Sequence, residues 1–195
     1  IGLFVNPEMV IIDEDYLATL NERESRSGIA EIIKYGLTYD TKVLNQLKSF
    51  NHLTLSNLIH RSIEIKNEVV LEDPKENGLR KILNFGHTLG HAIESYFLES
   101  KDKENLTHGE AIAIGMVCES YLSSEVLSLP KEKVLEVKKK FGFVKIIKNN
   151  TNTLTITDLS TGTVVATVVS VESAACATAA PNGAVVRRTA QAIRV

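Results

Sequence analysis

The sequence has no run of 18 apolar residues, so no membrane span is expected. It has no basic surplus either. Lys and Arg number 22 against 24 Asp and Glu, a formal net charge of -2. That argues against a nucleic-acid partner, because phosphate binding needs excess positive charge. No basic stretch leading into an apolar one opens the chain, so no secretory signal is read. Cysteine is scarce, with only Cys118 and Cys176. Cys118 lies in an apolar helical run, where a buried thiol is expected, and nothing favours a disulfide. Together these absences predict a cytoplasmic protein. What is present is ordinary: 195 residues, 44% hydrophobic and 24% charged. That is enough for one domain, or for one domain and part of another.

The opening "IGLFVNPEMVIID" begins without Met, and "MVIID" reads as a short buried strand with no partner before it. The expectation is a piece of a longer chain. Helical signals follow. Asp13 or Asp15 can cap "YLATL", and "SGIAEIIKYGL" carries Ile29, Ile32, Ile33 and Leu37 at helical spacing. Residues 53–72 read as a long amphipathic helix. "EDPKENGLR" is a charged loop, with Pro74 and Gly78 as breakers. Helical patterns resume over 80–99 and 109–127. Pro130 can sit in the first turn of a further helix, closed by Gly142.

Near residue 150 the composition changes. Residues 131–148 hold seven lysines and residues 151–195 hold none. "TLTITDLSTGTVVATVV" alternates, is β-branched and surrounds a Ser-Thr-Gly turn, which predicts a hairpin over 153–169. "PNG" at 181–183 signals another turn. The expected organisation is therefore a mainly α domain over 1–150 and a β-rich tail, of separate or foreign origin, over 151–195.

Two stretches could carry chemistry, "KILNFGHTLGHAIES" at 81–95 and "LTHGEAIAIGM" at 106–116. His87 and His91, at i and i+4, project from one helix face, a spacing that suits two ligands on one metal. Gly86 and Gly90 flank them. Glycine costs about 1 kcal/mol against Ala inside a helix, so two here imply close approach of a ligand or of another backbone. His108 precedes Gly109 and Glu110 at a helix start, where backbone amides attract anions. Glu31 lies among Ile29, Ile32 and Ile33, and needs a cation, which a metal or Lys34 could provide. One histidine on an apolar face is usually a core residue. A pair with a third histidine and an isolated carboxylate makes a metal site a serious alternative. Lys66 and Arg80 read as solvated charges, or as groups that hold phosphate or carboxylate.

"SGIAEIIKYGL", "LRKILNFGHTLGHAIES" and "HGEAIAIGM", in that order, resemble the C-terminal domain of 3-dehydroquinate synthase, over residues 1 to about 148. The resemblance implies the helical fold of that domain. It also implies a division of labour that spacing alone does not give. Glu31, His87 and His108 match the ligands of a divalent metal, zinc or cobalt. His91 matches a substrate-site group near the phosphate and not a ligand. Lys34, Lys66, Arg80 and Asn84 match positions that bind the substrate's carboxylate, hydroxyls or phosphate, and Lys34, Asn84 and His91 are the implied catalytic groups.

The implied reaction converts 3-deoxy-D-arabino-heptulosonate 7-phosphate, a phosphorylated sugar acid, to 3-dehydroquinate in the shikimate pathway of aromatic amino-acid and chorismate biosynthesis. NAD transiently oxidises a ring hydroxyl, phosphate is eliminated, the ketone is reduced, and ring opening with an internal aldol closure forms the carbocycle. No GxGxxG or GGG occurs in the chain, so the implied NAD site lies on an N-terminal domain outside it. The chain alone is expected to be inactive. The resemblance further implies a homodimer for the full-length enzyme. Two other readings stand beside this one. The first is a related sugar-phosphate cyclase making an aminocyclitol precursor, against which Arg80 and Asn84 argue. The second is a non-catalytic helical metal-binding fragment or chimera.

Overall fold

The computed structural model describes residues 7–49, 52–99 and 104–141, and beyond them the backbone of five strands between 144 and 186. The chain is mainly α, with a β-rich tail. Six helices form the first part: α1 (Glu22–Thr38), α2 (Thr41–Gln46), α3 (His52–Glu72), α4 (His87–Glu99), α5 (His108–Val126) and α6 (Lys131–Lys140). Short 3-10 helices at Glu14–Thr19 and Leu79–Asn84 precede α1 and α4. Among the described residues no helix is long and apolar enough to cross a membrane.

Local chemistry sets the helix starts. Asp13, not Asp15, caps the first 3-10 helix, accepting from the Asp15 amide at 3.0 Å. Asn21 caps α1 through the Glu24 amide at 2.9 Å, and Asp40 caps α2 through the Lys42 amide at 3.0 Å. Thr107 and Glu110 form a reciprocal capping box at the start of α5. Pro130 stands just before α6, where its missing N–H costs nothing. Gly142, the expected stop, lies outside the described residues.

Two expectations fail here. "MVIID" is not a buried strand: Met9 is 73% and Ile11 82% exposed, with no strand pairing. Apolar β-branched residues make a strand only where a neighbour completes the ladder. The helix expected over 80–99 is also broken. Residues 79–84 are 3-10, and Gly86 at φ +80 turns the chain before α4 begins at His87.

The core has two apolar clusters. One surrounds α5, whose residues 111–120 are all buried, and joins Ile112, Met116 and Val117 to Ile93 and Phe97 of α4 and Val137 of α6. A helix apolar on every side must be enclosed by others. The second joins Ile32 and Tyr35 of α1 to Val43 of α2 and to Leu58, Ile65 and Val69 of α3. Helix α1 serves both, because Ala30 packs into the first cluster. Cys118 is free and buried; Cys176 lies outside the described residues.

Glycine sets the spacing of α4 and α5. A Cβ at Gly115 would overlap the Gly86 carbonyl oxygen and stand 2.7 Å from the Gly90 nitrogen, and one at Gly90 would stand 2.7 Å from Ile112 Cδ1. The flanking glycines of the histidine motif therefore admit another backbone.

The tail is an antiparallel meander of β1 (Val144–Lys148), β2 (Thr153–Asp158), β3 (Val164–Val169), β4 (Ala177–Ala179) and β5 (Ala184–Val186), in that order. The hairpin expected over 153–169 is β2 with β3, in a register that pairs Thr155 with Thr167. β-structure starts earlier than the change in composition suggests, because β1 pairs with β2 through Lys145 and Thr157. The "STG" and "PNG" turns lie outside the described residues.

Candidate metal centre

Three helices bring Glu31, His87 and His108 together. Glu31 Oε1 lies 3.6 Å from His87 Nε2 and 3.9 Å from His108 Nε2. One potential ligand atom from each of the three lies within 4.8 Å of the others. Glu31 Oε1 is buried and has no hydrogen-bond partner. Its other oxygen accepts from Lys34 Nζ at 2.6 Å, and the same ammonium donates to the Leu83 carbonyl at 2.8 Å. Lys34 thus supplies a cation to one carboxylate oxygen only. An orphaned buried carboxylate oxygen facing two imidazole nitrogens is a donor set suited to a divalent cation.

The surroundings of His87 favour a ligand-ready imidazole. Burial, and next the charge of Lys34, push the His87 imidazole below its ordinary value, so it is neutral near pH 7. His87 Nδ1 donates to the Phe85 carbonyl at 3.2 Å, leaving the Nε2 lone pair toward Glu31. Lys34 is only 3% exposed. Burial lowers its pKa against the pull of Glu31, and Lys66 on α3 lowers it further.

His91 stands beside this set, its ring centroid 5.3 Å from that of His87 and 5.5 Å from that of His108. Its Nδ1 lies 3.3 Å from Glu94 Oε2. Lys34 bonds directly to the segment that carries Arg80 and Asn84, through Leu83. Arg80 and Asn84 themselves bind the preceding loop and not the histidines. Arg80 Nη1 donates to the Pro74 carbonyl at 3.0 Å, and Asn84 Nδ2 donates to Glu76. Asp73 holds that loop, accepting from the amides of Asn77, Gly78 and Arg80. Lys66 is exposed on α3.

Three carboxylates matter that sequence reasoning passed over or left open. Glu119, buried on α5, accepts from the amides of Gly86 at 2.7 Å and Leu89 at 3.2 Å and so caps α4, the helix of His87 and His91. Burial raises its pKa, while those amides pull it down. Glu110 is fastened by Arg23, whose Nε and Nη2 reach its two oxygens at 2.9 and 2.8 Å, so it fixes the α5 start. Glu94 is the third, and its i+3 spacing from His91 was its only signal in the sequence.

A profile of the family described as 3-dehydroquinate synthase C-terminal matches residues 28–173. This match runs past residue 148, the end of the motif resemblance, and into the β-rich tail. The 3-dehydroquinate synthase of Methylacidiphilum infernorum is 48% identical over 140 residues, covering 71% of this chain and 38% of that protein. That of Rippkaea orientalis is 40% identical over 165 residues, covering 80% of this chain and 44% of that protein. The chain thus spans about two fifths of the length of these relatives. Among solved structures, ValA, the 2-epi-5-epi-valiolone synthase of Streptomyces hygroscopicus subsp. jinggangensis 5008 with NAD+ and Zn2+ bound, superposes with a TM-score of 0.51 at 27% identity. The superposition covers 65% of this chain and 37% of that one. With a family profile matched over most of its residues, the chain belongs to the 3-dehydroquinate synthase C-terminal family.

Proposed function

We propose that the chain forms the metal- and substrate-binding part of a 3-dehydroquinate synthase, a cytoplasmic lyase that converts 3-deoxy-D-arabino-heptulosonate 7-phosphate to 3-dehydroquinate with loss of phosphate. The observation that carries this reading is the unpartnered, buried Glu31 Oε1 facing Nε2 of His87 and His108. Glu31, His87 and His108 would hold a divalent ion, zinc or cobalt, which when bound supplies Lewis acidity toward a substrate hydroxyl. Lys34 holds Glu31 Oε2 and so aims Oε1. Lys66 and Arg80 would bring positive charge to the anionic ends of a phosphorylated sugar acid, and Asn84, on exchanging Glu76 for substrate, would offer an amide to its hydroxyls. The contribution of these groups is mostly positioning. His91, exposed at the edge of the set, would hold or deliver a proton at a phosphate oxygen.

In this reading residues 1–150 are the metal and substrate domain and 151–195 a tail outside the chemistry. Hydride transfer belongs to NAD, held on a further domain of a homodimeric enzyme. The likeness to ValA favours a second reading, a cyclase of a different sugar phosphate. Identities of 40–48% to dehydroquinate synthases, against 27% to ValA, support the first. The test is phosphate release by the full-length protein with NAD and zinc. The heptulosonate phosphate should be strongly preferred over a sugar phosphate without a carboxylate, and His87→Ala should abolish release. The reverse preference would install the second reading.

A further inference from the structure

Glu94 lies on α4, three residues beyond His91 and on the same helix face, with its side chain turned toward the start of α5. Its Oε2 stands 3.3 Å from His91 Nδ1 and 3.3 Å from His108 Nδ1. Both are long hydrogen bonds, just beyond the usual N–H···O range of about 2.7–3.2 Å. One carboxylate oxygen has lone pairs for both donors. His108 needs such an anchor more than His87 does. The His87 ring is largely buried and tied to the Phe85 carbonyl, whereas the His108 side chain is 43% exposed on the first residue of α5.

We infer that Glu94 is a positioning residue, which holds His108 and His91 in the Nδ1–H tautomer so that His108 Nε2 faces Glu31. This rests on the metal-site reading above, and deepens it. An imidazole that donates from Nδ1 keeps its one lone pair on Nε2, the atom 3.9 Å from Glu31 Oε1. A second carboxylate behind a histidine ligand fixes both its tautomer and its ring plane. The same oxygen also ties His108 to His91, so one carboxylate sets the relative orientation of a ligand and of the neighbouring substrate-site imidazole.

The competing use of these groups is a separate cation site made by His91, Glu94 and His108, whose ligand atoms also lie within 4.8 Å of one another. That use would place the His108 lone pair on Nδ1. Neutral His108 has a single lone pair, so it serves one arrangement or the other. The buried, unpartnered Glu31 Oε1 decides for Nε2, because among the described residues only an ion shared with His87 and His108 would satisfy it.

The test uses the full 195-residue chain with Glu94→Gln and Glu94→Ala, and zinc alone as the probe. In metal-free protein, long-range proton–nitrogen NMR should show Nδ1–H imidazoles at His91 and His108. Glu94→Ala should release both into tautomer mixtures and leave His87 unchanged. In zinc titrations against a competing chelator, Glu94→Ala should weaken affinity about 10–100-fold, with Glu94→Gln between it and the parent and one ion bound per chain. Glu94→Gln preserves shape and carries the test if the Ala variant does not fold. Glu31→Ala and His87→Ala serve as controls. If they leave zinc binding intact, the metal site itself is wrong. If they weaken it while both Glu94 variants keep parental affinity and tautomers, the metal site stands and the role of Glu94 is refuted. Two ions on the parent, falling to one in Glu94→Ala, would also refute it in favour of the separate cation site.

Discussion

Alanine at Gly115 and at Gly28 should move stability in opposite directions. Both glycines lie inside helices, α5 and α1. In each, helix propensity alone favours Ala by about 1 kcal/mol. At Gly28 a Cβ would meet nothing within 4 Å, so Gly28→Ala should stabilise by about that amount. At Gly115 a Cβ would overlap the Gly86 carbonyl and stand 2.7 Å from the Gly90 nitrogen and 3.0 Å from the Gly86 carbonyl carbon. These are backbone atoms, so relief requires α4 to withdraw from α5. Overpacking of this kind costs about 1–3 kcal/mol. Withdrawal also stretches the Gly86 and Leu89 amides away from the buried Glu119 carboxylate, at about 1–3 kcal/mol for a group left unsatisfied. After the propensity gain, Gly115→Ala should destabilise by about 1–5 kcal/mol, lowering Tm by about 2–20 °C for a chain of this size. Thermal unfolding followed by far-UV circular dichroism reads both variants. Zinc affinity should fall with Gly115→Ala, because His87 opens the displaced helix. A Gly115→Ala protein as stable as the parent, with parental zinc binding, would refute the account of the α4–α5 contact.

Lys34→Met removes the cation from Glu31 Oε2 and the donor from the Leu83 carbonyl, and should cost the metal-free chain about 1–3 kcal/mol in urea unfolding. An unchanged midpoint would count against the pairing. Burial pushes the Glu110 carboxyl up, but Arg23 and the Thr107 amide hold it below the ordinary carboxylate range. A depressed folded-state pKa gives stability that is complete above the unfolded value, near pH 4.5, and lost as pH falls through the folded value. Glu110→Gln should therefore flatten the acid limb of the stability profile below pH 4.5, and an unaltered limb would contradict the Arg23 contact. The 195-residue chain with NAD and zinc should release no phosphate from the heptulosonate substrate, and measurable release would show that the chemistry needs no further domain.

Much of the helical architecture is legible from periodicity, because α1 and α3 bury apolar positions at helical spacing. Residues 79–84 defeat that reading. Leu79, Ile82 and Leu83 face the second cluster as a helix would, but Gly86 at positive φ ends the run before His87. "MVIID" misleads for a different reason: strand propensity is a property of a pair, and one partner alone does not specify it. At the site, the histidine spacing and the isolated Glu31 are visible as residue types, and the motif resemblance supplied their grouping. Glu94 and Glu119 are invisible as individuals. A glutamate in a helix shows no partner until the neighbouring helix is in place, and only then does it face two imidazoles or the open end of α4. The flanking glycines announced a close approach. What approaches, the backbone of α5, is a fact of tertiary structure.

Glu31, His87 and His108 come from α1, α4 and α5, far apart along the chain and anchored partly in different apolar clusters. An ion shared by them is a cross-link. It can form only after all three helices have docked, so its binding free energy is also folding free energy, about 2.7 kcal/mol when free ion exceeds Kd a hundredfold. Scarcity of metal would then act on abundance as well as on rate. A starved cell would hold a looser helical assembly, opened more often to proteases, and would lose the polypeptide along with its activity.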